Sequence, residues 1–229
     1  MSIRLLTGAA IALAASLGGA TAGEIPVSAN GDTYNIAVSS WKELRFRTVM
    51  LQQYDFSCGS AALASLLTYH YKRPHTEAQV FEAMYRVGDQ QSIRRSGFSL
   101  LDMKTYLQSI GLSSDGYRVS LDKIAQLEVP AITLIEFNGY KHFVIIKGIR
   151  DGRVLVGDPA RGTRAIDRAE FEKMWSGIVL FIRNDIALAQ ASFNLDKDWS
   201  SQGAAPLASA MRQEDIGSLF LHIRPSGLF

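Results

Sequence analysis

The sequence holds a single cysteine in 229 residues, Cys58, so no disulfide can form within the chain. It also lacks a charge excess of either sign: 24 Lys and Arg face 22 Asp and Glu, a formal net charge of +2. Nucleic-acid binding needs clustered cations against phosphates, and no such cluster or long charge run is present. Long hydrophobic runs are missing beyond one short N-terminal stretch, which excludes a polytopic membrane protein. Internal repeats are missing too. What is present is 47% hydrophobic residues, enough to exclude a disordered chain and to fill one ordinary core.

The N-terminal stretch reads as an export signal over residues 1–22. Arg4 gives a short basic start, residues 5–17 are uncharged and rich in Ala and Leu, and Ala20-Thr21-Ala22 offers the small-x-small pattern of a cleavage site. The apolar stretch is shorter than the roughly 20 residues a bilayer span needs. No cysteine lies beside the cleavage site to carry a lipid. The expected location is the periplasm, after cleavage before Gly23. Export makes Cys58 conspicuous. An unpaired thiol in an oxidising compartment is buried and inert, pairs with another chain, or is kept for its chemistry.

Residues 23–47 read as an extended N-terminal segment, with 44–50 alternating as a strand would; 48–186 form the main domain and 187–229 an extension outside the core. After Cys58, the residues Ala62, Leu63, Leu66 and Leu67 recur at helical spacing until Arg73-Pro74. Thr76 with Gln79 is a capping box that opens a second helix, its core face being Val80, Phe81, Met84 and Tyr85. Ser99 caps a third helix that Gly111 stops, and Ser120 a short fourth. From Pro130 the pattern turns to strands: 131–137, an Asn138-Gly139 hairpin turn, 142–149, an Asp151-Gly152 turn, and 154–157. A short helix over 167–175 and a strand over 178–182 follow. Helices followed by an antiparallel sheet give the α+β class, the two halves packed together.

Three segments carry chemistry. In Gln52-Gln53-Tyr54-Asp55-Phe56-Ser57-Cys58-Gly59, a thiol stands at the start of a buried helix, where backbone N–H groups and the helix dipole favour thiolate. Gly59 lets the backbone come close to a bound carbonyl. A thiol nucleophile needs a base, and His142, in Tyr140-Lys141-His142-Phe143-Val144, supplies an imidazole. Asp158, in Val156-Gly157-Asp158-Pro159, can hold that ring in one tautomer through its far nitrogen. A strict two-residue turn at Asp151-Gly152 would offset His142 and Asp158 by three positions across the hairpin, so a longer loop or a bulge is expected. Acyl transfer also needs a donor to the developing oxyanion; Gln52 or Gln53 has the amide for it, beside the Cys58 backbone N–H.

These segments resemble the bacteriocin-processing cysteine peptidases, a papain-like family that removes double-glycine leader peptides. That family's pattern is a Gln six residues before Cys-Gly, a small-residue helix, then His-Phe-Val and later Asp-Pro. It stands here as Gln52, Cys58-Gly59, His142-Phe143-Val144 and Asp158-Pro159, in that order across roughly residues 48–182. The resemblance implies a papain-like fold with N-terminal helices packed on an antiparallel sheet. It also implies Cys58 as nucleophile, His142 as base, Asp158 as its orienter and Gln52 as oxyanion donor. Many relatives are cytosol-facing domains of ABC exporters. This chain has no Walker A motif, and with its signal sequence it is similar to the stand-alone periplasmic branch that accompanies functional-amyloid (Fap) secretion. The partners so implied are a peptide or protein substrate, such as a secreted amyloid or peptide client, and its export channel; no cofactor is implied.

Single residues carry less than the set. One Cys alone is more often a small buried hydrophobe, one strand His a hydrogen-bonded structural residue, and Asp-Pro the start of a turn. His70 and His75 flank a helix break with no third ligand at metal-binding spacing, so they read as surface or capping residues and no metal is expected. Lys147, Arg150, Arg161 and Arg164 read as a solvated face near the cleft. The competing function is a catalytically silent binding module or chaperone for a secreted client. A third reading keeps the same residues but passes the acyl group to an amine or thiol.

Overall fold

The computed structural model describes residues 23–29, 32–54 and 56–200; the export signal read over 1–22 lies outside the described residues. The chain divides into two units, Met1–Ser40 and Trp41–Phe229. In the first, β1 (Gly23–Ala29) and β2 (Asp32–Val38) form an antiparallel hairpin in register from Gly23 opposite Val38 to Ala29 opposite Asp32.

The second unit opens with α1 (Trp41–Phe46), where alternation had suggested a strand. Tertiary packing overrides that pattern: the Arg45 backbone lies 2.8 Å from where a Cβ on Gly162 would stand, so the helix fits against a strand that leaves room for it. Next comes α2 (Cys58–Ser65), buried along its whole length. Its Gly, Ala and Ser residues make it thin enough to run through the core rather than over it. It continues as a π-helical turn, Leu66–His70, closed by Tyr71 N–H donating to the Leu66 carbonyl at 3.2 Å.

Helices α3 (Glu77–Val87) and α5 (Leu100–Ser109) start at capping boxes, Thr76 with Gln79 and Ser99 with Asp102. Between them α4 (Gln90–Ser96), with only Ile93 buried, is held by the Asp89 side chain at its N-cap. Such a polar segment carries no apolar periodicity for a reader to find. Ser120 caps α6 (Leu121–Leu127).

Six antiparallel strands complete the unit: β3 (Ser114–Arg118), β4 (Ala131–Phe137), β5 (Tyr140–Arg150), β6 (Arg153–Asp158), β7 (Gly162–Asp167) and β8 (Trp175–Ile182). Their order across the sheet is β3-β8-β4-β5-β6-β7. The edge strands β3 and β7 were not foreseen, because Ser-Asp-Gly-Tyr-Arg and Gly-Thr-Arg-Ala-Ile-Asp are too polar to stand out. The short helix α7 (Arg168–Met174) leads into β8. Asn138 and Gly139 both take left-handed backbone (φ 51° and 79°), as a two-residue hairpin turn between β4 and β5 requires. One continuous core joins Leu63 of α2 and Leu66 of the π-helical turn to Met103 and Leu107 of α5 and to Val144, Ile146 and Val156 of the sheet. This mixed helix-and-sheet architecture is the α+β arrangement expected.

The end of the described chain departs from expectation. The helices α8 (Ile186–Gln190) and α9 (Asp196–Ser200) pack onto the domain: Ala189 and Phe193 join the core and Trp199 is buried. This segment was read as lying outside the core because its apolar residues, Ala189, Phe193 and Trp199 among them, are scattered without a clear period. Lys147, read as solvated, is buried with its ammonium 2.9 Å from the buried Asp198 carboxylate. Arg150 pairs with Asp196 at 2.6 Å and stacks over Trp199, so it is not part of a bare solvated face either.

Candidate active site

Cys58 is the first residue of α2 and 8% exposed. The residue before it, Ser57, donates its hydroxyl to the buried Glu77 carboxylate, and the same carboxylate accepts the Gln53 N–H at 3.0 Å. Glu77 thus ties down the loop entering α2 from the first turn of α3. Gly59 also has a task inside the protein. A Cβ there would lie 2.9 Å from the Met103 side chain and 3.2 Å from Phe98 Cβ, so the missing side chain serves packing inside the protein.

His142 lies on β5 and Asp158 ends β6. Beside the turn at Asp151-Gly152 the two strands pair Arg150 with Arg153, Ile149 with Val154 and Gly148 with Leu155. Beyond Gly148 the register shifts, pairing Ile146 with Val156 and Ile145 with Gly157, so Lys147 is an extra residue on β5. The expected bulge is this one. Without it the turn's register would set Asp158 across from Ile145, on the opposite face of β5 from His142. With it, Asp158 continues the register to the level of Val144, on His142's own face and diagonal to it.

The result is a short bond: His142 Nε2 stands 2.7 Å from Asp158 Oδ1, and both side chains are buried. The same carboxylate accepts the N–H groups of Ala160 and Arg161 at 2.9 and 3.2 Å, and Arg164 Nε at 3.3 Å. Arg164, read as solvated, is therefore an ion-pair partner of Asp158. Burial alone would raise the Asp158 carboxyl, but the bond to His142, the Ala160 N–H and the Arg164 charge outweigh it and hold the group below the ordinary range. Burial likewise opposes charge on His142. Hydrogen bonding to Asp158 and to Cys58, and the charges of both, overcome that and push the imidazole up to about 9.

With Nε2 on Asp158, the ring's Nδ1 is left buried and without a conventional hydrogen bond among the described residues. Cys58 is the other group acting on the ring. Thiol, imidazole and carboxylate thus come together from three elements, two of them more than eighty residues apart in sequence. Tyr140 stacks on the His142 ring, centroids 6.0 Å apart, and is exposed. A groove of about 900 Å³ opens at Cys58 between Phe56, Arg95, Phe98, Leu101 and Tyr140.

Gln52 is joined to this group through its backbone rather than its side chain. Its N–H donates to the Pro159 carbonyl at 3.0 Å, beside Asp158. Its amide donates to the Tyr54 carbonyl at 3.1 Å, and its Oε1 is buried with no hydrogen-bond partner among the described residues. Gln53, the alternative, is held through its backbone by Glu77. Among the described residues, His70 and His75 stand apart from this group. His75 bonds the Arg73 carbonyl at 2.9 Å, as a local cap would. His70 is buried instead of exposed, its Nδ1 2.8 Å from Ser192 Oγ. No group of three or more metal-binding side chains occurs among the described residues. Glu77 and Arg164 were the residues missed. An acid in a helix's first turn and a cation on a polar strand both have ordinary structural explanations, so neither signals a site.

A helix threaded through the core with a thiol at its first turn, facing an imidazole on an antiparallel sheet, is the architecture of the papain-like cysteine peptidases. The Peptidase C39 family model matches residues 47–186, and the chain belongs to that family. It is similar to the probable functional amyloid protease FapD of Pseudomonas aeruginosa, 43% identical over 145 residues, which cover 63% of this chain and 64% of that protein. The corresponding protein of Pseudomonas fluorescens is 39% identical over 163 residues, 70% of this chain and 72% of that one. The first match thus spans less than two thirds of its relative's length. Among solved structures, the peptidase domain of Streptococcus ComA, a bifunctional ABC transporter, shares the fold with a TM-score of 0.51 at 19% identity, covering 59% of this chain and 96% of that domain.

Proposed function

We propose that the chain is a periplasmic cysteine endopeptidase that cuts an exported client, with Cys58 as nucleophile, His142 as base and acid, Asp158 as the ring's orienter and Gln52 as oxyanion donor. The observation that carries this reading is the 2.7 Å bond between His142 Nε2 and Asp158 Oδ1, which leaves the other ring nitrogen for Cys58. Thiolate attacks the scissile carbonyl. The imidazolium then protonates the leaving amine, and neutral imidazole draws a proton from the water that resolves the acyl-enzyme. The Cys58 backbone N–H and the Gln52 amide, once released from Tyr54, face the oxyanion. The apolar groove beside Cys58 suits an extended, partly unfolded chain. Similarity to proteins called functional amyloid proteases favours a secreted amyloid or peptide subunit as client, with its export channel nearby. The periplasmic location rests on the signal pattern of residues 1–22.

The test needs no known substrate. Cys58 in the chain from Gly23 onward is alkylated with iodoacetamide across pH 5–10. A thiolate kept by His142 reacts well below pH 8, and His142→Ala abolishes that early reactivity. Alkylation that starts only near pH 8.5, as for an ordinary thiol, and ignores His142→Ala would leave a binding module instead. Mass spectrometry of client digests with the parent and Cys58→Ala then separates hydrolysed from ligated products.

A further inference from the structure

The register shift at Lys147 decides whether Asp158 can reach His142, and the structure shows what holds that shift in place. The Lys147 carbonyl, turned out of the ladder, accepts the Asn194 N–H at 2.9 Å. Asn194 Nδ2 donates to the Ile149 carbonyl at 3.2 Å, two residues along the same strand. Its Oδ1 fills the space a Cβ on Gly148 would need, so Gly148 and Asn194 fit only each other. Asn194 itself is left-handed (φ 56°), a conformation that asparagine tolerates better than most side chains.

The Lys147 side chain is held as firmly. Its stem runs over Gly157, the neighbour of Asp158, with Cδ 3.0 Å from a Cβ placed there. Its ammonium meets Asp198, Thr48 and Thr163 in a buried cluster, and Thr48 also donates to Asp198 at 3.1 Å. Trp199 closes the cluster from outside, its indole N–H 3.3 Å from Asn194 Oδ1. Asn194 and Asp198 both lie beyond the stretch 47–186 that the family model matches.

We propose that Asn194 and Asp198 are positioning residues of the active site: they clamp the extra residue of β5 and thereby keep Asp158 on the face of His142. This rests on the peptidase reading above. The clamp acts through geometry alone, because neither residue touches the thiol, the imidazole or the carboxylate. Loosening it lets the two strands slip toward the register of the turn, which moves Asp158 away from the ring and weakens the proton affinity that Asp158 gives it.

The experiment compares iodoacetamide alkylation of Cys58 at pH 6 and pH 9.5 in the parent, Asn194→Asp, Asn194→Gly, Asp198→Asn and Asp158→Asn. Asn194→Asp keeps shape and backbone preference while replacing the donor to Ile149 with an acceptor, so it reports even if Asn194→Gly does not fold. Thermal melts establish that each variant is folded. The expected result is a fall in the pH 6 to pH 9.5 rate ratio of about tenfold in the clamp variants, equal to one unit of proton affinity, in the same direction as Asp158→Asn. A variant that melts earlier but keeps the parental ratio would make Asn194 and Asp198 mere stabilisers, and the proposal fails. If Asp158→Asn itself leaves the ratio unchanged, a displaced Asp158 cannot be what the clamp variants report and the proposal fails, whereas the peptidase reading fails only if His142→Ala, run alongside, leaves the ratio unchanged too; the two failures are told apart within one data set.

Discussion

The carbonyl of Pro159 accepts the backbone N–H of Gln52 at 3.0 Å, tying the loop that enters the Cys58 helix to the turn that presents Asp158. Two segments more than a hundred residues apart are thereby registered at the thiol, and neither needs a side chain to do it. A substitution at Gln52 removes the amide while leaving this tie intact.

Gln52 is therefore a clean probe of oxyanion stabilisation. In Gln52→Ala, Cys58 alkylation should keep its parental pH profile, because the His142 and Asp158 geometry is untouched. Peptide hydrolysis should fall by about 10²- to 10³-fold, the usual loss for one oxyanion donor. Parallel alkylation and cleavage assays check this. An equal loss in both would mean that Gln52 supports the loop and not the oxyanion.

Glu77 holds the same loop from below through Gln53 N–H and the Ser57 hydroxyl. Glu77→Gln keeps the volume but replaces one acceptor oxygen with a donor amide in a buried place. A destabilisation of about 2 kcal/mol is expected, the scale of a hydrogen bond to a charged group. Urea denaturation of parent and variant measures it, and Cys58 reactivity should decline alongside, since the thiol stands next to Ser57.

Much of the site could be read before the fold was seen. Cys58, His142 and Asp158 were each ambiguous alone, but their order and spacing were not. The offset across the hairpin even showed that a longer loop or a bulge was needed between His142 and Asp158, although not that a bulge with Lys147 as the extra residue would supply it. The capping residues Thr76, Ser99 and Ser120 marked helix starts because their chemistry is local. What escaped was non-local. Lys147 and Asp198 bury a charge pair that makes sense only when β5 and α9 meet, and each alone resembles a surface residue. The strand β7 escaped for a related reason: its polar Thr163 and Arg164 serve Lys147 and Asp158 instead of solvent.

His70 should make the chain acid-sensitive. Burial, then the charges of Lys147 and Lys197, hold its imidazole well below 6.5, so the folded protein keeps it neutral while the unfolded chain protonates normally. Its contribution to stability is whole above pH 6.5 and is lost as pH falls below that value, at up to about 1.4 kcal/mol per pH unit. Urea midpoints between pH 7 and pH 5 should drop more steeply for the parent than for His70→Gln. Parallel slopes in the two proteins would refute a role for His70.

His142 points the other way and sets the alkaline edge. Its imidazole is raised to about 9, so the proton it carries stabilises the folded chain fully below the ordinary 6.5, and that stabilisation is lost as pH rises through 9. In the hydrolysis proposed above the imidazolium is the acid that protonates the leaving amine, so cleavage should decline with an apparent pKa near 9. Replacing the Asp158 carboxylate weakens the hydrogen bond that most favours the protonated ring and removes the charge behind it. In Asp158→Asn the alkaline limb should therefore move down toward 6.5, while in Arg164→Gln, which frees the carboxylate from a competing cation, it should stay or move slightly up. Rate profiles from pH 5 to pH 10, supported by ring-proton NMR titration of His142, separate these outcomes. An unmoved limb in Asp158→Asn would mean that the 2.7 Å bond orients the ring without tuning its charge.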